Sequence, residues 1–364
     1  MKITISKQEL SSALSLSTAT MAKKDDLSLS NILIQAVNDE LVITSSNGNV
    51  STRIHVSDQL NIEQEGSMLI DGKTISDAIS KLNGTISIEK MKNKVKINNE
   101  LAEYKLHSVD VSSYPNIDFV VSDNEFVVDG NMFNQAISKV INSTSTQDDR
   151  PIFTGVHFKS VGNTIELVAT DSYRLSKSYI DINEAVEVDV AVLADTLKTI
   201  MKVAKDQELY ISTNNNKVTF RTNKAIFVTR VIDGVFPDTN RLIPTEFKTH
   251  VTVNREQLIK AVDRSSFMKE DNIWILNLDL KDDILKLVTK AQEIGSTFEE
   301  VPISLQGNNI NLSLSGKYLL DALNSLVDDE VVFNLVGDLQ ALTVTDTSNQ
   351  IQLLLPVRTN YWHS

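Results

Sequence analysis

Apolar side chains recur along the chain in two short helical registers. Leu10, Ala13 and Leu14 stand at i, i+3 and i+4, after a short strand and a polar start. Phe133, Ala136 and Ile137 repeat that spacing 123 residues later, and Leu258, Ala261 and Val262 repeat it 125 residues after that. A second set keeps step: Ile75, Ala78, Ile79 and Leu82; then Leu197, Ile200, Met201 and Ala204; then Leu319, Ala322, Leu323 and Leu326. Its leading residues are 122 apart both times. Such spacing gathers the apolar groups on one stripe of a helix. It predicts six amphipathic helices, over 7–24, 73–82, 131–144, 195–205, 255–265 and 317–326, two in each of three repeats.

Between the helices the pattern turns to β-formers. Segments 41–44, 167–170 and 285–289 hold matching places after the first helix of each repeat, and 95–97, 218–220 and 342–344 after the second. Asn47-Gly48-Asn49, Gly162-Asn163 and Asn214-Asn215-Asn216 mark hairpin tips, because asparagine tolerates left-handed backbone and bonds its own main chain. Six prolines and no Pro/Gly/Ser-rich linker leave short extended joins, near 123–125 and 245–248. The expected fold is α+β. Three modules, 1–124, 125–246 and 247–364, each set two helices on one face of antiparallel sheets.

Bulk properties narrow the class. A chain of 364 residues exceeds one ordinary core, and 41% apolar content is enough for globular packing. No apolar run has the length of a membrane span, so no membrane is expected as partner. Met1-Lys2-Ile3-Thr4-Ile5 alternates like a strand rather than an export signal, and the chain has no cysteine, which fits a reducing cytoplasm. A net charge of −13 argues against nucleic acid only if charge is evenly spread. It is not. The six helical segments hold 13 lysines and arginines against 6 acids, a surplus of +7, and leave −20 for the remainder. Lys198, Lys202 and Lys205 fall at i, i+4 and i+7, Lys260 and Arg264 at i and i+4, and Lys23, Lys24, Lys73, Lys81 and Lys139 join them. Any one of these lysines also fits an ordinary solvated face. As a set on a common surface they suit double-stranded DNA held by its phosphates, independently of sequence.

Midway along the chain, Ala169-Thr170-Asp171-Ser172-Tyr173-Arg174-Leu175-Ser176 follows the apolar run 165–168 and reads as a strand end turning over. A bulged edge strand with Tyr173 and Leu175 in the core would satisfy the same residues. The stretch resembles the signature of the bacterial sliding clamps, the β subunits of DNA polymerase III. Phe236-Pro237-Asp238 followed by Arg241-Leu242-Ile243-Pro244, and Leu353-Leu354-Leu355-Pro356-Val357-Arg358, are similar to that family too, and in order and spacing the likeness spans essentially the whole chain. The resemblance implies a homodimeric ring closed head to tail around duplex DNA, with the helices lining it. It also implies a hydrophobic cleft that receives short peptides from the replicative polymerase, the clamp loader, repair and translesion polymerases, mismatch repair proteins and DNA ligase. The cleft positions it indicates are Phe153, Thr170, Ser172, Tyr173, Arg174, Leu175, Pro237, Arg241, Leu242, Leu353, Leu355, Pro356, Val357 and Arg358, with the arginines at the rim. Tyr104 and Leu106 would meet Phe267 and Met268 across the dimer interface. Phe153 stands where the family often has a smaller aliphatic residue, which makes an anchor pocket shallower, and Ser172-Tyr173 varies within the family. The tail Thr359-Asn360-Tyr361-Trp362-His363-Ser364 runs past the usual end, either over the cleft or free.

Catalysis finds no support. Phosphate-loop, dinucleotide and zinc-protease motifs are absent, and His55, His107, His157, His250 and His363 lack ligand spacing, so no metal or cofactor is expected. Asp148-Asp149, Asp282-Asp283 and Asp328-Asp329-Glu330 are sequence neighbours that do not face one another on a regular element. The expected function is therefore a non-catalytic, nucleoid-associated processivity factor. The competing readings are a metal-dependent nuclease using those acids, or a structural repeat protein that binds partners but not DNA.

Overall fold

Five of six helices begin where a strand runs into a side chain that caps them. The computed structural model describes residues 1–22, 29–119, 125–147, 149–214, 216–271, 273–359 and 361. Among them are α1 (Lys7–Ala19), α2 (Gly72–Ser80), α3 (Gly130–Val140), α4 (Ala194–Ala204), α5 (Arg255–Arg264) and α6 (Gly316–Ser325). Ser6, Asp71, Asp129, Asn254 and Ser315 accept the backbone N–H groups of Glu9, Thr74, Met132, Gln257 and Tyr318. Each bond satisfies a donor that the first turn leaves open, worth about 1 kcal/mol.

The apolar stripes point inward as the spacing requires. Leu10, Ile75, Phe133, Leu197, Leu258 and Leu319, which lead the six patterns, are all fully buried. Ala78 and Met201 are only half-buried, and Val203 takes a core place that the pattern did not assign. Helix α1 stops at Ala19 instead of continuing to residue 24. The buried Thr20 hydroxyl donates to Ser17 O and meets Ser45 Oγ at 2.8 Å, and its N–H also turns back to Ser17 O. Hydroxyl side chains that compete for the last carbonyls end the helix there.

Two compact units form. The first comprises Met1–Asn134, Ile182–Val186 and Asp195–Val231. It holds a five-stranded antiparallel sheet in the order Leu60–Gln64, Lys2–Ser6, Thr85–Lys90, Lys94–Asn98, Glu103–His107. Its eight-stranded sheet runs Glu125–Asp129, Glu208–Asn214, Lys217–Arg221, Ala225–Arg230, Val50–Val56, Glu40–Ser46, Asn31–Val37, Gly66–Asp71. Ala225 lies opposite Ile54, so strands of two sequence repeats share one sheet.

The second unit comprises Gln135–Asp181, Glu187–Ala194 and Ile232–Ser364. A twelve-stranded sheet organises it, in the order Asp189–Leu193, Gly155–Val161, Thr164–Thr170, Arg174–Asp181, Ile351–Leu354, Leu342–Thr345, Glu330–Leu335, Thr249–Asn254, Gly295–Gly307, Ile284–Ala291, Ile275–Lys281, Ile310–Ser315. Helices α5 and α6 pack Leu258, Val262, Leu319 and Leu323 into a core with Trp274, Leu276 and Phe333. The fold is α+β, built mainly from antiparallel sheets. The expected join near 123–125 lies almost wholly outside the described residues. At the other, Lys248 N–H bonds Leu335 O as the chain enters the strand Thr249–Asn254.

Candidate functional site

The site grows from a four-residue turn. Thr164–Thr170 and Arg174–Asp181 pair with Thr170 opposite Leu175, leaving 171–174 to reverse the chain. Asp171 Oδ1 accepts the N–H groups of Tyr173 and Arg174, each at 3.0 Å, and Thr170 Oγ1 donates to Arg174 O at 2.7 Å. Ser172 takes the left-handed conformation, φ +76°, that so tight a reversal demands. Consequently Tyr173 is thrown outward, 64% exposed, while Arg174 and Leu175 turn in.

Alongside, Arg174–Asp181 pairs with Ile351–Leu354, and Leu175 stands opposite Leu353. These two and Val168 form a small apolar cluster against which Phe236, Ile243 and Ala341 pack. Phe153 lies edge-on to Phe236 with ring centres 6.0 Å apart. A Cβ on Gly155 would stand 2.5 Å from Val192 O, so the glycine lets the strand after Phe153 close on its neighbour. Pro237, Arg241 and Leu242 are exposed on the adjoining segment, and Leu355 is 39% exposed with its N–H on Tyr173 O. Pro356 and Val357 are half-buried and Arg358 is exposed. Val168, Leu175 and Leu353 thus lie together under Phe236, with apolar surface still open at Tyr173, Leu242 and Leu355.

Arg174 is not a rim residue. It is 5% exposed, its Nε donates to Asp171 Oδ2 at 2.9 Å, and its Nη1 donates to Asp321 Oδ2 at 2.6 Å. Its guanidinium also lies 4.2 Å above the Tyr318 ring. These contacts within the protein tie the turn to α6. Burial, reinforced by the Asp171 charge, pushes the Tyr318 hydroxyl above its ordinary pKa. Exposed cation is supplied instead by Arg241 and Arg358. Val168, Phe236, Ile243, Ala341, Tyr318 and Asp321 were absent from the expected site. Phe236 was legible from its place before Pro237, but nothing local links Asp321 to an arginine 147 residues away.

The tail is anchored at two described points. Thr359 Oγ1 meets Ser313 Oγ at 3.0 Å, and the Tyr361 ring lies 4.7 Å from Lys290 Nζ. Residues 360 and 362–364, including His363, lie outside the described residues.

The expected DNA-facing cations separate into three groups. Lys23 and Lys24 lie outside the described residues. Lys73, Lys81, Lys202 and Lys205 are exposed, and Lys139 is half-buried. Lys198, Lys260 and Arg264 carry surface partners: Asp195 at 2.9 Å, Glu256 at 2.6 Å and Glu299 at 2.6 Å. The bonds from Arg264 hold the Glu299 carboxyl below its ordinary pKa. At the expected interface, Tyr104 and Leu106 are half-buried on Glu103–His107, the terminal strand of its sheet. Phe267 and Met268 part company. Phe267 is 64% exposed, whereas Met268 is 3% exposed because a turn from Ser265 O to its N–H folds it into its own core.

The acidic pairs serve turns. Asp282 and Asp283 occupy left-handed positions, Asp283 caps Leu305 N–H, and Asp328 holds Thr347; Asp148 lies outside the described residues. Among the described residues no three His, Cys, Asp or Glu side chains converge as metal ligands, and no helix is long and apolar enough to cross a membrane.

Three family profiles match the chain end to end. The DNA polymerase III beta subunit N-terminal domain matches residues 1–118, the central domain 127–238 and the C-terminal domain 240–358. The chain belongs to the DNA polymerase III β-subunit family, the bacterial sliding clamps. It is 29% identical to the beta sliding clamp of Bacillus subtilis, across 99% of this chain and all of that one. The crystal structure of the Bacillus subtilis clamp superposes with a TM-score of 0.92 at 26% identity, covering 99% of each chain. That of the Streptococcus pyogenes β subunit reaches 0.93 at 26% identity, covering 99% of this chain and all of that one.

Proposed function

We propose that the chain is a non-catalytic processivity factor. Two copies close head to tail around duplex DNA, each built from the modules 1–124, 125–246 and 247–364, and partner proteins are tethered by short peptides. The observation that carries this reading is the unbroken run of three family domains, in order, over nearly the whole chain. The excess of cations on the helical segments supports a DNA-facing surface, and lysines suit contacts that must slide. The half-buried Tyr104 and Leu106 on a terminal strand and the exposed Phe267 supply complementary apolar faces for closure. Polymerase, loader and repair proteins of the replicating nucleoid are the partners that family membership suggests. Of the acids that would serve a nuclease, Asp282, Asp283 and Asp328 are engaged in turns, which disfavours that alternative.

The cleft proposed for partner peptides has Val168, Leu175 and Leu353 as floor, Phe153 and Phe236 as one wall, and Arg241, Leu242, Leu355 and Arg358 as rim. A short peptide buries little area, so two or three anchors carry the affinity, at about 1–3 kcal/mol each. A fluorescein-labelled peptide with a glutamine followed by a leucine–phenylalanine pair should bind saturably in anisotropy. Binding should vanish when Pro356 through Ser364 are deleted. Undiminished binding to the truncated chain would place the pocket elsewhere.

A further inference from the structure

The rim residues Arg241 and Leu242 sit on a segment, 232–243, that joins no strand ladder and is tied to the sheet at its start, where Ile232 N–H donates to Ala191 O at 2.9 Å. Gly234 bends it at φ +123°, Val235 is 92% exposed, and regular structure is limited to one 3-10 turn, Asn240–Leu242. Its internal bonds, Asn240 N–H to Asp238 Oδ1 and Leu242 N–H to Thr239 O, are local and set no height above the sheet. Something beneath must hold it.

The register of the sheet identifies what does. His157, Val168, Lys177 and Ile351 form one cross-strand row, on the face that carries Leu175 and Leu353. At one end of the row the His157 ring, fixed by a 2.7 Å contact to Asp189, stacks on Phe236 at 4.5 Å and 9°. Near the other end stands Lys177, 2% exposed, where a lysine is rarely found unless paired. Its Nζ donates to Glu166 Oε2 and to Asn240 Oδ1, both at 2.7 Å. Glu166 supplies the countercharge and fixes the ammonium; the second bond is directed upward into the 3-10 turn. Asn240 itself is exposed and directly precedes Arg241 and Leu242.

We propose that Lys177 is a positioning residue for the peptide cleft: through Asn240 it sets where Arg241 and Leu242 meet a bound peptide. The inference rests on the cleft reading above, but its mechanical half does not. Losing a bond to a buried ammonium is expected to weaken peptide binding about tenfold. Because both residues act through one bond, their effects should not add.

The test combines Asn240→Ala, which leaves the buried Lys177–Glu166 pair intact, with Lys177→Met, Asn240→Asp and the double variant Lys177→Met/Asn240→Ala. Hydrogen exchange on the free protein should quicken across 232–243 in Asn240→Ala, with the strand Arg174–Asp181 unchanged and melting temperature close to wild type. In peptide anisotropy Asn240→Ala should bind about tenfold weaker, Asn240→Asp should restore affinity, and the double variant should match Lys177→Met alone. Exchange in 232–243 that does not change in Asn240→Ala overturns the positioning role, as do additive losses in the double variant. A wild-type chain that fails to bind the peptide while exchange responds as stated defeats the cleft reading, and with it the role in peptide binding, and leaves only the mechanical hold of Lys177 on 232–243 standing.

Discussion

Arg174 and Arg241 show how burial decides what a cation can do. Arg174 is enclosed by Asp171, Asp321 and Tyr318, whereas the Arg241 side chain is 89% exposed and lies 3.6 Å from Asp238. Removing one member of a buried, hydrogen-bonded pair leaves its partners uncompensated, at about 3 kcal/mol or more. Arg174→Ala should therefore lower the midpoint of urea unfolding markedly, whether or not a peptide is present. Arg241→Ala should shift stability by less than about 0.5 kcal/mol and yet weaken peptide binding. An unaltered urea midpoint in Arg174→Ala would show that its bonds contribute nothing net. From the sequence both arginines looked alike, because motif position specifies a neighbourhood and not the direction of a side chain. The left-handed Ser172 and the bonds of Asp171 turn Arg174 inward, and that geometry becomes visible only in three dimensions.

At the level of elements, helices were legible and sheet order was not. A helical stripe is a local pattern, so Leu10, Phe133 and Leu258 announced their elements, while the capping residues became visible only in the structure. Pairing of Ala225–Arg230 with Val50–Val56, or of Arg174–Asp181 with Ile351–Leu354, joins strands far apart in sequence and leaves no local mark. The cleft floor depends on the second of these; Leu175 and Leu353 were expected together only through the family resemblance, and Val168 and Ala341 were missed. Helix α4 carries a prediction of its own. Lys202 and Lys205 are exposed near its C-terminus, and Lys198 is held by Asp195. Changing all three to glutamine should weaken binding to a short duplex and flatten its dependence on salt, by about one unit of slope for each lysine that contacts a phosphate. Lys198 should contribute least. Equal losses from Lys92, Lys94 and Lys159, which lie outside the helices, would remove any special status from the helical set.

For the whole molecule, ring closure is the property on which the proposed function depends. Phe267, 64% exposed beside a buried Met268, is the apolar side chain left for a partner, so Phe267→Ala should shift sedimentation toward a folded monomer. In the proposed ring each substitution would act at both interfaces by symmetry. An unchanged dimer would move the interface elsewhere. Encirclement itself has a signature that ordinary binding cannot imitate, because a closed ring is trapped by topology rather than by affinity. The most direct measurement loads the protein onto nicked circular DNA with a clamp loader, isolates the complex by gel filtration in high salt, and then cuts the circle once. Retention on the circle, followed by release on cutting, is the predicted result. Loss of the protein before cutting, or its persistence on the linear product, would contradict the account.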